Sequence, residues 1–230
     1  MRGKLIVIEG IDGCGKSTQT RMLTEKFEKE GLKCKYIHFP MLEQGIYGKL
    51  IAQFLRGELG HPDIIDLDYD IHPKLVALMY ACERKEHSAT IQKWLGEGYM
   101  VIADRYVYSN IAYQCTKFFY LWEKNRLQDW ILDLEFNTNK LPRPDKTLFL
   151  DLPKKYIASK MLDERCGDDR DYTHGKKDIY EANASFQSDV YDEYMRLVNA
   201  MDDFVAVKCY GENGICSIEE IHERICKEIV

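Results

Sequence analysis

The chain has 230 residues and 38 acidic against 32 basic side chains, a formal net charge of −6. That balance lacks the basic excess of proteins that coat nucleic acid, so any phosphate it holds must sit in a local pocket. The apolar fraction of 45% and charged fraction of 30% suit one well-filled globular domain over residues 1–230. With no apolar run of membrane-spanning length, no signal-peptide core after Met1, and eight scattered cysteines without a C-x-x-C pair, the expectation is a cytoplasmic protein in a reducing setting.

The first element is a short buried strand, Leu5–Ile8. Gly10-Ile11-Asp12-Gly13-Cys14-Gly15-Lys16-Ser17 follows and fits G-x-x-x-x-G-K-[ST] at every fixed position. Ser17–Lys29 then reads as a helix, so the pattern stands between strand and helix, where it acts as a phosphate cradle. The glycines let backbone N–H groups curl around an anion, and the helix N-terminus adds about half a positive charge. The predicted phosphate-binding set is Gly10, Ile11, Asp12, Gly13, Cys14, Gly15, Lys16, Ser17 and Thr18. Lys16 would reach the outer phosphates, and the Ser17 hydroxyl would ligate Mg²⁺. Lys16 and the helix N-terminus beside Cys14 are expected to lower its thiol pKa.

Lys35–Phe39 is the second predicted strand and ends at Phe39-Pro40. Leu75, Leu78, Met79 and Cys82 form an apolar stripe at helical spacing. Met100–Ala103 is the third strand, and Asp104-Arg105-Tyr106 stands at its tip. Asp104 is placed to hold the water shell of Mg²⁺, and Arg105 to clamp a second phosphate with its bidentate fork. A further stripe, Leu127, Trp130, Ile131 and Leu134, precedes the strand Thr147–Leu152. Asp163–Lys177, rich in charge and glycine, reads as a mobile exposed loop. Phe186, Val190, Tyr194, Leu197, Val198 and Met201 share the face of another helix, and Phe204–Lys208 is the fifth strand. Ser217 and Glu220 make a capping box before a final amphipathic helix. Cys209, Cys216, His222 and Cys226 are close in sequence, but strand and helix placement argues against a metal site there.

Strand and helix alternate throughout, which predicts an α/β fold with a five-stranded parallel sheet flanked by helices. Ligands in such folds collect at the carboxyl ends of the strands, where the glycine loop, Phe39-Pro40 and Asp104-Arg105 would converge.

These residues carry a family resemblance. The chain resembles thymidylate kinase, a P-loop nucleoside monophosphate kinase, over essentially its whole length. The resemblance rests on Glu9 to Gln19, Phe39-Pro40, Tyr80-Ala81-Cys82-Glu83-Arg84, and Asp104-Arg105-Tyr106 leading to Ser109 and Ala112-Tyr113-Gln114. Pro144-Asp145 before Leu148–Asp151, and Lys176 to Glu181, also fit.

The resemblance implies ATP-dependent phosphorylation of dTMP to dTDP, Mg²⁺ as cofactor, and a homodimer. It implies a dTMP site of Asp12, Phe39, Tyr80, Arg84, Arg105, Ser109, Tyr113 and Gln114. Tyr80 would stack on thymine, Arg84 would bond a base carbonyl, and Ser109 and Gln114 would read the other polar edge. Tyr113 would crowd the sugar at its 2′ carbon, Asp12 would accept the 3′-hydroxyl, and Arg105 would bind the acceptor phosphate. A lid near residues 163–178 would supply the catalytic cation, with Arg165 or Arg170 beside Lys16, Asp104 and Arg105; Lys176 and Lys177 are further candidates. Such an arginine contributes about 10³–10⁵ in rate in related chemistry.

Two departures stand out. Family members often carry an arginine just after Phe-Pro, where this chain has Met41 and Leu42, so Lys49 or Arg56 would have to assist Arg105. Some members also carry an arginine at the place of Gly13. Other readings are a kinase for another deoxynucleoside monophosphate, such as dUMP, and a GTP-binding switch. The switch needs N-K-x-D, and the near match Asn139-Lys140-Leu141-Pro142 has proline where the carboxylate belongs.

Overall fold

The computed structural model describes residues 2–59, 71–156, 179–180 and 184–229. The predicted lid at 163–178, with Arg165, Arg170, Lys176 and Lys177, lies outside the described residues.

Five strands form one parallel sheet: β1 (Leu5–Glu9), β2 (Cys34–His38), β3 (Met100–Asp104), β4 (Lys146–Asp151) and β5 (Phe204–Lys208), in the order β2-β3-β1-β4-β5. Each lies within a residue or so of its predicted range. All five residues of β1 are buried, as a central strand covered by helices on both faces requires. The helices are α1 (Lys16–Lys29), α2 (Gly45–Leu55), α3 (Pro73–Gly96), α4 (Val107–Cys115), α5 (Leu121–Leu132), α6 (Ala184–Ala200) and α7 (Ile218–Ile229). A π-helical turn, Asp133–Thr138, extends α5, and a small antiparallel pair, β6 (Tyr210–Gly211) and β7 (Gly214–Ile215), follows β5. Neither was expected from the sequence.

Register brings the loaded strand ends together. Ile8 pairs with Asp104 across β1 and β3, and His38 pairs with Asp104 across β2 and β3. The glycine loop, the Phe39-Pro40 turn and Asp104-Arg105 therefore leave the sheet side by side.

The helix faces explain most of the core. Leu127 and Ile131 of α5, and Phe186, Val190, Tyr194 and Leu197 of α6, are buried. Phe149 of β4 stacks on Tyr194, with centroids 4.9 Å apart. Each fully buried side chain of this size contributes about 1.5–3 kcal/mol relative to exposure. The capping box of α7 is present, with Ser217 N–H donating to Glu220 Oε2 at 2.8 Å and Glu220 N–H to Ser217 Oγ at 3.1 Å.

The α3 stripe divides between surface and interior. Leu75 and Leu78 face outward, 57% and 37% exposed, while the buried face carries Val76, Ala77, Ala81, Glu83, Arg84, Ser88, Ile91 and Leu95. Three of those eight are polar. The stripe of α3 therefore runs from exposed Leu75 and Leu78 to half-buried Met79 and Cys82, and the inner side carries buried hydrogen-bonding groups among its apolar residues.

Candidate active site

The glycine loop turns from β1 into α1 through left-handed backbone at Gly13 (φ 76°) and Gly15 (φ 95°), the latter being the N-cap of α1. Side chains with a Cβ rarely adopt that region, and glycine makes both turns without that steric cost. Lys16 is buried and donates from Nζ to the Ile11 carbonyl at 2.8 Å, which places its ammonium over the loop.

Ser17 Oγ donates to Asp104 Oδ2 at 3.1 Å, and His38 Nδ1 lies 3.6 Å from the same oxygen. Burial alone would raise the Asp104 carboxyl pKa. The His38 hydrogen bond and the charges of Lys16 and Arg105 outweigh it, so the carboxyl lies below its ordinary value and stays ionised. Asp104 Oδ1 is buried and makes no hydrogen bond among the described residues. An ionised oxygen without a donor, beside a hydroxyl and above a phosphate cradle, fits the oxygen-ligand chemistry of Mg²⁺.

Cys14 is a correction. Its thiol is buried, and burial pushes its pKa up despite the nearby charges of Lys16 and Arg105. Desolvation outweighs the cationic neighbours that sequence reasoning weighed alone.

Arg105 has a left-handed backbone (φ 65°), unusual for a residue with a Cβ and worth about 1–2 kcal/mol of strain. Its amide is held by the Ile8 carbonyl at 2.9 Å. The guanidinium then spans the site: Nη2 donates to Asp12 Oδ1 at 2.6 Å and to the Tyr113 hydroxyl at 3.3 Å, and Nη1 donates to Ser109 Oγ at 3.1 Å and to Tyr194 at 3.3 Å. Asp12 also accepts from the Tyr113 hydroxyl at 3.0 Å and from Gln187 Nε2 at 2.7 Å. Asp12, Arg105, Ser109 and Tyr113 are thus one polar network.

Ser109 Oγ donates to Glu9 Oε2, which also accepts from the Tyr194 hydroxyl at 3.1 Å. Glu9 Oε1 takes the amides of Tyr106 at 2.9 Å and Ser109 at 3.1 Å, capping the start of α4. Burial raises the Glu9 pKa, and the Ser109 hydrogen bond and the Arg105 charge only partly offset it.

A second cluster lies beyond Tyr106. Arg84 is buried and donates from Nε to both oxygens of Glu135 at 3.1 Å, with Nη2 also on Glu135 Oε1. Asn110 Nδ2 donates to the Ala77 carbonyl at 3.0 Å and to Glu135 Oε1 at 3.3 Å. Phe39 is buried, with its ring 5.8 Å from that of Tyr106 and its amide bonded to the Asp104 carbonyl at 2.9 Å. Tyr80 is half-buried against the core. Gln114 is buried, and its Oε1 makes no hydrogen bond among the described residues.

The turn after Phe39 is held by Glu83, whose Oε1 accepts the Met41 amide at 2.9 Å. Burial pushes the Glu83 carboxyl up to about 7, against the Met41 hydrogen bond and the Arg84 charge. Of the two cations expected to replace the missing arginine, Arg56 is engaged by Glu58 Oε1 at 2.7 Å and Glu43 Oε1 at 2.8 Å. Lys49 is exposed on α2.

Sequence reasoning assigned no role to Glu9, His38, Glu83, Asn110, Glu135, Gln187 or Tyr194. A signal existed for some of them. Glu9 is an acid in a buried strand, and Glu135 continues the Leu127 and Ile131 face one turn on, at the spacing that buries it. Among the described residues no group of three or more potential ligands is arranged to hold a metal ion, and that includes Cys209, Cys216, His222 and Cys226.

Comparison with known proteins agrees with this geometry. The family model described as thymidylate kinase matches residues 8–225. A probable thymidylate kinase of Thermococcus onnurineus is 35% identical over 223 residues, covering 96% of this chain and 94% of that protein. Thymidylate kinase of Plasmodium falciparum is 27% identical over 228 residues, covering 99% and 90%. The solved structure of thymidylate kinase from Candida albicans has a TM-score of 0.71 and 28% identity, covering 99% of this chain and 91% of that one. The chain belongs to the thymidylate kinase family and is a nucleoside monophosphate kinase.

Proposed function

We propose that this protein transfers the γ-phosphoryl group of ATP to dTMP, giving ADP and dTDP. The observation that carries the reading is the Arg105–Asp12 contact between the tip of β3 and the glycine loop. It links a donor cradle to an acceptor cation on one sheet edge.

ATP binds with its phosphates against the loop amides from Gly10 to Thr18, and Lys16 exchanges its bond to the Ile11 carbonyl for the outer phosphates. Ser17 and Asp104 hold Mg²⁺, which when bound neutralises charge on the donor phosphates. Arg105 grips the acceptor phosphate, and Asp12 and Tyr113 meet the sugar. Phe39, Tyr80, Arg84, Ser109 and Gln114 enclose or read the base. The acceptor phosphate is already anionic, so the protein's task is alignment and charge stabilisation rather than proton removal. The catalytic cations expected from the sequence, Arg165 or Arg170, lie outside the described residues, and turnover of their Ala variants tests whether either serves the transferred phosphoryl group.

A homodimer is part of the proposal, with the exposed Leu75 and Leu78 of α3 in its interface. So is a cytoplasmic setting, supported by the free cysteines among the described residues. Among the described residues no helix is long and apolar enough to cross a membrane.

The test is a coupled assay with ATP and, as acceptors, dTMP, dUMP, dCMP and thymidine. The expected result is the highest kcat/KM with dTMP. Turnover of another acceptor above dTMP, or none with dTMP, overturns the reading. Sedimentation of the wild type and of Leu75→Glu tests the dimer.

A further inference from the structure

We propose that Gln187 of α6 is a positioning residue for phosphoryl transfer: it holds Asp12 so that this carboxylate grips Arg105 by one oxygen only, which leaves the guanidinium able to take an acceptor phosphate. The inference rests on the reading of Arg105 as the acceptor cation. It gives a part in the site to a side chain 175 residues from Asp12, on a helix to which neither the motifs nor the resemblance assigns one.

Gln187 is wholly buried, and its amide meets Asp12 at two points. Oε1 accepts the Asp12 backbone N–H at 3.3 Å, and Nε2 donates to Asp12 Oδ2 at 2.7 Å. Reversing the amide would set oxygen against oxygen at the carboxylate and N–H against N–H at the backbone, so its orientation is fixed. The Tyr180 carbonyl, another acceptor, lies 3.5 Å from Nε2, on the side where a donor belongs. Backbone and carboxylate of Asp12 are thus held by one rigid group, and neither turns without the other.

The carboxylate is split as a result. Oδ1 accepts from Arg105 Nη2 at 2.6 Å, while Oδ2 accepts from Gln187 Nε2 and, at 3.0 Å, from the Tyr113 hydroxyl. A carboxylate beside an arginine often takes the guanidinium by two parallel bonds, and that fork–fork pair is the stronger one. Here the pair is single-pronged because the second oxygen is engaged elsewhere. Arg105 Nη1 is left on two neutral hydroxyls, Ser109 Oγ at 3.1 Å and Tyr194 at 3.3 Å. Bonds to neutral hydroxyls are exchanged for a phosphate at less cost than a second bond to a carboxylate. Removing Gln187 takes away the shorter of the two bonds to Oδ2 together with the hold on the backbone. The carboxylate can then close on the guanidinium, and that ion pair has to be broken before an acceptor phosphate binds.

The experiment measures the binding of dTMP and of ATP, each by calorimetry, in wild type, Gln187→Met, Asp12→Ala and the double variant, all checked for folding by circular dichroism and melting. Methionine keeps the length of glutamine without its hydrogen-bonding amide. In Gln187→Met the affinity for dTMP is expected to fall about tenfold or more, with the affinity for ATP within about threefold of wild type. In the Asp12→Ala background no carboxylate is left to hold, so the same replacement should move dTMP affinity by less than about threefold. A folded Gln187→Met protein whose dTMP affinity stays within about threefold of wild type overturns the inference. So does an equal loss in both backgrounds, or a matching loss of ATP affinity, each of which marks a side chain that only supports the fold. If Gln187→Met does not fold, Gln187→Ala takes its place in the cycle and is judged by the same outcomes. Wild type that neither binds nor phosphorylates dTMP would instead overturn the proposed function, a result separate from any difference between the variants.

Discussion

Arg105 Nη2 lies 2.6 Å from Asp12 Oδ1, joining the tip of β3 to the middle of the glycine loop. Ninety-three residues separate the two in sequence, and the β1–β3 pairing removes that separation. The contact sets both the direction of the arginine and the position of the carboxylate. Asp12→Asn keeps the shape and removes the charge. A charge-assisted hydrogen bond is worth about 1.5–3 kcal/mol, so kcat/KM for dTMP should fall roughly 10- to 150-fold. Steady-state kinetics with varied dTMP measures it. A fall below about threefold would mean that Arg105 is aligned by Tyr113, Ser109 and Tyr194 alone.

Asp104 stays ionised because His38, Lys16 and Arg105 outweigh the effect of its burial. Asp104→Asn removes that charge next to Ser17. Apparent Mg²⁺ affinity should weaken about 10- to 100-fold, in the range seen when outer-shell partners of a metal are lost. Titration of activity with Mg²⁺ at fixed ATP reads this directly, and an unchanged Mg²⁺ midpoint would remove Asp104 from the metal site.

Glu83 gives a pH signature in stability. Burial raises its folded pKa to about 7, above the ordinary carboxyl value of 4.5. Between those values the folded state binds more protons than the unfolded state, so this residue's contribution to stability falls as pH rises from about 4.5 to about 7 and is flat above that. Glu83→Gln keeps an acceptor for the Met41 amide and cannot titrate. The stability of wild type relative to this variant should therefore decline from pH 5 to pH 7.5, as followed by denaturant melts at each pH. A constant difference would show that Glu83 does not titrate in this range.

Cys14 should be slow to react. Its thiol is buried and its pKa is raised, whereas Cys34, Cys82, Cys216 and Cys226 are only half-buried. Brief alkylation of the native protein at pH 7.5, located by mass spectrometry, should modify some of those four before Cys14. Early labelling of Cys14 would contradict its buried placement.

Ser217→Ala removes the oxygen that accepts the Glu220 amide at the start of α7. The expected cost is about 1 kcal/mol of stability with unchanged kinetics, read from chemical melts and the standard assay.

Periodicity and motif determined much of this protein. Buried strands have a short, uninterrupted apolar signature, and the glycine pattern has a fixed local geometry, so five strands, the phosphate loop and the acid–arginine pair at the end of β3 could be read from neighbouring residues alone. The α7 capping box could be read for the same reason, since its partners are three residues apart.

Partnership across the fold could not be read in this way. The spacing of α3 shows an apolar stripe but not the buried Glu83, Arg84 and Ser88 of its inner face, because only the elements packed against it supply the groups that make such burial tolerable. Arg84 faces Glu135 across 51 residues, and Gln187 reaches Asp12 across 175. Cys14 reverses its expected shift because desolvation depends on everything around it, whereas the adjacent sequence shows only the charges. Local spacing carries backbone preference and face, while burial, pairing and the field at a site are sums over distant segments, and only the folded chain brings those segments together.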